Sequence, residues 1–338
     1  GKTRLRCFPK HTKLWRLSRW PNRARRGPLS ELCQQLSAYR SDRAAAVAFG
    51  VFDGVHLGHQ SLINTLRVSA KERGLSAVVV TLSNHPLSVL RPGLQLRLLT
   101  SPRERLDLLS ASGPDAVLPV TFTHELSLLS ARDFMAALTD CVGMEHFVAG
   151  PDVALGHARQ GTLPVLTELG VELGYSLETV EQFSLGGIPV RSTAIRESLR
   201  DGKIELAQKL LGRPFSLEGS VVEGEGRGGG LLGYPTANIG VDPLQALPAD
   251  GIYATWISFG GRKLPAATSV GSKPTFHDEF PTVVEAFVLD FEGNLYGEQV
   301  KLEFVGRLRD QEHFESVGAL VTKMEHDVSE TRRMLTGA

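Results

Sequence analysis

The 338-residue sequence has no net charge: 37 lysines and arginines face 37 aspartates and glutamates. A chain so balanced carries no global field that argues for a nucleic acid or a membrane surface as partner. No apolar run reaches membrane-spanning length. Cysteine is scarce. Cys7, Cys33 and Cys141 show neither the spacing of a disulfide framework nor that of a metal site, which suits a reducing cytosol. No internal repeat is found, which excludes a solenoid.

The basic charge is concentrated, however. Residues 1–43 hold twelve Lys or Arg against only Glu31 and Asp42. Residues 1–44 read as a basic, poorly ordered N-terminal extension; a nucleic-acid arm and a targeting segment are the other readings. Within it, residues 29–39 space their apolar side chains by three and four, so a short helix is expected there.

From Ala44 the pattern changes. Ala44–Phe52 is an apolar run of strand length, broken at Asp53-Gly54. A helical period starts near His59 and stops at Gly74, and Ala77–Leu82 is the next buried strand. This β-α-β order predicts a parallel sheet with a right-handed crossover. Further strands are expected at 115–120 and 145–149, helices at 103–111 and 130–140, and a short α/β stretch over 170–183. Residues 192–212 read as helical with a break at Asp201-Gly202. Beyond Pro214 the period becomes two: Ser216–Val222, Ile252–Phe259, Ala266–Val270, Val283–Asp290 and Val300–Val305 read as strands of a closed barrel. Phe314, Val317, Leu320, Val321, Met324 and Val328 then share one face of a terminal helix, with Met324 as core rather than ligand.

Three stretches carry candidate chemistry. Gly50-Val-Phe-Asp-Gly-Val-His-Leu-Gly-His-Gln60 puts His56 and His59 at a strand-to-helix turn. Three-residue spacing sets both imidazoles on one face beside free backbone N–H groups, a geometry suited to phosphate. A metal reading is weaker, because no third His or Cys has suitable spacing. Ser192-Thr193-x-x-Arg196 offers two hydroxyls and a guanidinium at a helix start, for phosphate or as an ordinary cap with a surface arginine. Between Gly224 and Ile239 a glycine cluster runs into a Tyr234-Pro235 corner and presents Thr236 and Asn238. Glycine lets backbone N–H groups crowd an anion, and the two side chains are hard oxygen ligands suited to Mg²⁺ beside a phosphate. A flexible linker ending in a turn is the plainer reading. Glu285, a lone acid inside Val283–Leu289, is out of place unless it has chemical work, such as orienting a hydroxyl and taking its proton, or faces a rim.

With Gly271–Phe276, Leu295-Tyr-Gly297 and Phe304–Arg309 following in order, the last 125 residues, from Pro214, closely resemble the riboflavin kinase module. The Gly50–Gln60 stretch resembles the adenylyltransferase module of bacterial FAD synthetases. The whole chain thus resembles the bifunctional riboflavin kinase/FMN adenylyltransferase family. The resemblance implies an α/β plus β chain: a Rossmann-like nucleotidylyltransferase domain over 45–190, a helical connector over 191–213 carrying a phosphate motif, and a riboflavin-kinase β-barrel with a C-terminal helix over 214–338.

It also implies roles. Glu285 becomes the kinase base, and Gly226, Gly228 and Gly233 close over ATP phosphates, with Thr236 and Asn238 near Mg²⁺. Arg309 and Phe314 shape a flavin pocket. His56 and His59, framed by Gly50, Phe52 and Gly58, serve adenylyl transfer; Ser192, Thr193 and Arg196 bind the remaining ATP phosphates; Asp152 lies in a flavin-binding segment. Three places depart from the family pattern. Arg191 replaces a usual Ser. Leu82, Ser83 and Asn84 stand where an acidic position is expected. Val153 and Leu155 stand where two Phe would pack near an isoalloxazine. The expected activity is riboflavin to FMN and FMN to FAD, each with ATP, in the cytoplasm. The rivals are a kinase with a weak or inactive adenylyltransferase domain, and a flavin- or RNA-binding regulator. Oligomeric state is not read from the sequence.

Overall fold

A computed structural model describes residues 27–37, 39, 41–94, 96–223, 236–272 and 282–337. Gly226, Gly228 and Gly233, most of Gly271–Phe276, and the extension up to residue 26 lie outside the described residues. The rest divides into two compact units.

The first unit comprises residues up to 51, with 62–92 and 109–181. Its centre is a parallel sheet of β1 (Ala45–Gly50), β2 (Ser76–Leu82), β3 (Ala116–Val120), β4 (Met144–Ala149) and β5 (Ser176–Thr179), in the order β3-β2-β1-β4-β5. All seven residues of β2 and the first four of β1 are buried, as expected of strands covered on both faces. The edge strand β5 has no buried residue. The helices in chain order are α1 (Pro28–Leu36), α2 (Leu57–Arg73), α3 (Pro86–Leu90), α4 (Pro102–Ala111), α5 (His124–Ser127), α6 (Ala131–Ala137) and α7 (Leu163–Leu173). A π-helical turn, Leu138–Val142, continues α6 and stops at Gly143 in the left-handed region.

The expected short helix is present as α1, but it is not an appendage. Leu32 and Leu36 are buried in the same core cluster as β1, β2 and α6, so the reading of 1–44 as one loose extension is corrected over 28–36. Deletion of residues 1–26 should spare this core, whereas Leu36→Ala should cost about 2–5 kcal/mol, measured by chemical denaturation. Cysteine usage is corrected too. Cys33 and Cys141, 108 residues apart, form a disulfide between α1 and the π-helical turn. Spacing gives no sign of such a pair, because only the packing of α1 on α6 and the turn brings them together.

The second unit comprises 52–61, 93–108 and 182–338. It does not follow the linear division at 190, because the His56–His59 turn belongs to it. It contains the small hairpin β6 (Ser184–Leu185) and β7 (Ile188–Pro189), then α8 (Ser192–Arg200) and α9 (Ile204–Leu211). Six strands follow: β8 (Phe215–Val222), β9 (Thr236–Val241), β10 (Gly251–Phe259), β11 (Arg262–Ser272), β12 (Thr282–Val288) and β13 (Gln299–Arg309). They close into a barrel in the order β10-β11-β12-β9-β8-β13. The final helix is α10 (Val317–Thr336), capped by the Ser316 hydroxyl, which accepts from the Ala319 N–H at 3.2 Å. Period-two alternation fills the barrel with Val270, Val284, Ala286, Leu302 and Phe304. The sequence placed Thr236 and Asn238 on a loop after the Tyr-Pro corner. They are on β9, paired with β12 and β8.

Candidate functional site

The chain leaves β1 into a turn that few residues tolerate. Phe52, Gly54 and Val55 all have positive φ, at 54°, 83° and 39°. What holds the turn is Asp53, only 3% exposed. Its carboxylate accepts the N–H groups of Leu99 (3.0 Å) and Thr100 (3.2 Å) and the Thr100 hydroxyl (3.3 Å), and pairs with the Arg196 guanidinium. The Ser192 hydroxyl donates to the Asp53 carbonyl at 2.9 Å, and Arg196 Nε donates to the Arg97 carbonyl at 2.7 Å. Ser192 and Arg196 therefore meet at Asp53, on the turn that carries the histidines. Thr193 is exposed at the start of α8. Asp53 was within the quoted motif but unassigned. Its signal was an acid between an apolar strand end and a glycine.

The turn delivers two stacked imidazoles. The rings of His56 and His59 lie 3.6 Å apart and 14° from parallel, and Phe52 meets His59 edge-on at 5.1 Å. His56 Nδ1 accepts the backbone N–H of His59 at 3.3 Å, which puts the neutral ring's proton on Nε2. Burial lowers the His56 pKa to about 4, helped by the positive charges of Arg213 and Arg196. Burial also drives His59 well below the ordinary histidine value, with His56 and the Arg105 cation adding to it. Both rings are neutral donors and acceptors at pH 7. His59 Nδ1 is buried without a hydrogen-bond partner among the described residues, which leaves it open to a ligand or to water.

Space is short at Gly58 as well. A Cβ there would lie 3.0 Å from the Val190 carbonyl and 3.2 Å from His56 Nδ1. Gly58→Ala should therefore displace His56 and disturb its stack on His59; a shift of the two imidazole signals in NMR spectra checks it.

In the first unit, Gly50 ends β1 and the segment Gly150–Asp152 follows β4, the neighbours at which the strand order reverses. That is where open parallel sheets bind ligands. Asp152 is exposed there. The departures have structural explanations. Asn84 exchanges two hydrogen bonds with the Phe122 backbone, at 2.9 and 2.8 Å, which a carboxylate without a donor could not do. His85 caps α3 by accepting the Leu87 N–H. Leu155 is buried in the sheet's core cluster and Val153 packs on that cluster. A phenylalanine at 155 would overpack that core.

The second site is on the outside of the barrel. Pairing places Asn238 opposite Glu285, Glu285 opposite Ser269, Ser269 opposite Ile252, and Ile252 opposite Arg309. One row across five strands thus brings together three residues far apart in sequence. Since Val284 and Ala286 fill the barrel, Glu285 faces outward. A cavity of about 280 Å³ opens there, lined by Thr236, Glu285, Phe287, Arg309 and Phe314 and by Leu320, Met324 and Asp327 at its helical wall. Arg309 is a strut in this wall. Its Nε and Nη2 bind the Asp327 carboxylate at 2.8–3.1 Å, its Nη1 donates to the Asp310 carbonyl, and Phe314 covers it at 5.6 Å. Asp327, a polar position on the apolar face of α10, was missed because only its partner's place makes sense of it.

Comparison with known proteins matches both parts of the chain. The FAD synthetase family matches residues 38–194, and the riboflavin kinase family matches residues 211–335. Bifunctional riboflavin kinase/FMN adenylyltransferases from Bacillus subtilis and Pseudomonas fluorescens are each 32% identical; they align over 86% and 90% of this chain and 92% and 97% of their own. The chain belongs to the bifunctional riboflavin kinase/FMN adenylyltransferase family. A crystal structure titled as a macrolide-efflux protein from Streptococcus pneumoniae superimposes with a TM-score of 0.80 at 30% identity, covering 88% of this chain and 96% of that one. Among the described residues, no helix is long and apolar enough to cross a membrane.

Proposed function

We propose that this chain makes FAD from riboflavin in two ATP-dependent steps, with the barrel site as the kinase and the His56–His59 turn as part of the adenylyl-transfer site. The observation that carries the reading is Glu285, beside Ser269 on the wall of a cavity lined by Phe314 and α10 and paired across the strands with Asn238, joined to membership of this family.

In the kinase step the ribityl 5′-hydroxyl attacks the γ-phosphorus of ATP. The new O–P bond forms as the bond to the β,γ-bridging oxygen breaks, and ADP leaves. Glu285 orients the hydroxyl and takes its proton. Thr236 and Asn238, one hydroxyl and one amide oxygen two residues apart on β9, suit an Mg²⁺ that keeps most of its ligands from water and phosphate. Among the described residues, no cluster of three His, Cys, Asp or Glu offers an all-protein cage. When bound, the ion would neutralise charge on the ATP phosphates. In the second step an FMN phosphate oxygen attacks the α-phosphorus, the bond to the α,β-bridging oxygen breaks, and pyrophosphate leaves. His56 and His59 then act as preorganised donors to the charge that develops on the phosphoryl oxygens. Thr193 with the first turn of α8 serves the phosphates.

We divide the chain at the connector 191–213 and place it in the cytoplasm, where ATP is supplied. Incubating the protein with riboflavin, ATP and Mg²⁺ and separating the products is the test. FAD supports the reading, FMN alone leaves a kinase, and neither product defeats it.

A further inference from the structure

We propose that Arg213, which joins α9 to the first barrel strand, is a positioning residue of the adenylyl-transfer step that fixes the turn carrying His56 and sets the charge around it. The proposal rests on the FMN adenylylation reading above. The connector is stitched to the turn at several points. Arg213 Nη1 donates to the Val55 carbonyl at 3.4 Å. Gln60 Nε2 donates to the same carbonyl at 3.0 Å and to the Leu211 carbonyl at 3.2 Å. Gly212 turns the connector here with a φ of 73°, a left-handed conformation that favours glycine, and packs beside Leu57. The carbonyl held by Arg213 and Gln60 belongs to Val55, whose φ of 39° is strained for a β-branched residue. Two donors on that peptide are what keep it there.

The guanidinium also acts through its charge. It is partly desolvated, and among the described residues no carboxylate forms a direct ion pair with it. The nearest acidic influence, Glu104, is engaged by Ser216 Oγ at 2.5 Å and Lys301 Nζ at 2.8 Å. Arg213 is thus a cation left with charge to offer beside His56. The groups that face His56 are Arg213 from the connector, Arg196 from α8, the stacked His59, and on its own turn Asp53, which is paired with Arg196. After burial, Arg213 does most to keep His56 unprotonated. Protonation at Nδ1 would break the bond from the His59 N–H that aligns the two rings.

Arg213→Gln and Arg213→Lys in the full-length protein test this, with riboflavin phosphorylation in the same samples as the control for folding. Wild type must first make FAD from FMN; if it does not, the underlying reading fails and Arg213 is not what failed. Given that activity, Arg213→Gln should lose about tenfold to a hundredfold in kcat/KM for FMN adenylylation. The acid limb of its pH profile should move to higher pH, because the charge that opposes protonation of His56 is gone. FMN's own ionisation is common to both proteins and cancels. Arg213→Lys keeps the charge, so its acid limb should stay at the wild-type position while part of the rate returns. Three results would overturn the proposal: adenylylation within twofold of wild type with an unmoved limb, a lower rate with an unmoved limb, or a parallel loss of both activities.

Discussion

Glu285→Gln should lower riboflavin phosphorylation by about 10²- to 10⁴-fold, the usual worth of a positioned general base, while FAD formation from supplied FMN stays at the wild-type rate. Gln has nearly the shape of Glu and can still accept a hydrogen bond from the ribityl hydroxyl, so riboflavin should bind about as before and the loss should fall on kcat. What Gln cannot do is take the proton. The site favours such a separation of effects. Glu285 is held in a strand between Asn238 and Ser269, with the packed interior behind it at Val284 and Ala286. The substitution removes a charge from the outer face and leaves the packing alone. The residues proposed for adenylyl transfer hang on Asp53 instead, through bonds to Thr100, Ser192 and Arg196. A variant that still phosphorylates riboflavin at more than a few per cent of the wild-type rate would remove Glu285 from the role of base.

That prediction depends on a residue the sequence did expose. A lone acid in an apolar, period-two strand contradicts the local pattern, and such contradictions collect at working sites. The stacked histidines could be read for a similar reason, because a three-residue spacing at a helix start fixes which side chains share a face. Period also sufficed for the parallel sheet and for five of the six barrel strands, and β1, β2, β8 and β10 begin and end within two residues of their expected bounds.

What could not be read was every pairing decided by tertiary packing. Asp53 is the centre of its turn because Leu99, Thr100 and Arg196 converge on it from 46 to 143 residues away. Asp327 makes sense only once α10 lies against Arg309. The bond between Cys33 and Cys141 depends on α1 packing on α6 and the turn after it. Thr236 and Asn238 were read as a loop because the glycines and Pro235 before them dominate the local signal. The strand they form is specified by partners on β12 and β8, not by their own neighbours.

His59→Ala should reduce FMN-to-FAD turnover by about 10²- to 10³-fold, the cost of one preorganised donor at a developing oxyanion, with a small change in ATP affinity and unaltered riboflavin phosphorylation. The reason for so unequal an effect is in the surroundings of the ring. His59 is neutral, because burial and the neighbouring His56 and Arg105 oppose its protonation, so it adds no full charge to the attraction of ATP in the ground state. That attraction comes from groups such as the free N–H donors and the Thr193 hydroxyl at the start of α8. The fixed geometry of the imidazole, stacked on His56 and braced by Phe52, needs no reorganisation as charge moves onto the phosphoryl oxygens, and that is where a donor in a buried site has most effect. Truncation also removes the face on which His56 stacks, so His59→Asn serves as a companion: it restores an N–H donor without the ring, and should recover part of the turnover if donation is the role. The assignment fails if His59→Ala mainly weakens ATP binding while turnover at saturation stays normal. It also fails if the asparagine variant is as slow as the alanine variant while keeping wild-type kinase activity, since the loss would then come from the missing stack and not from the missing donor.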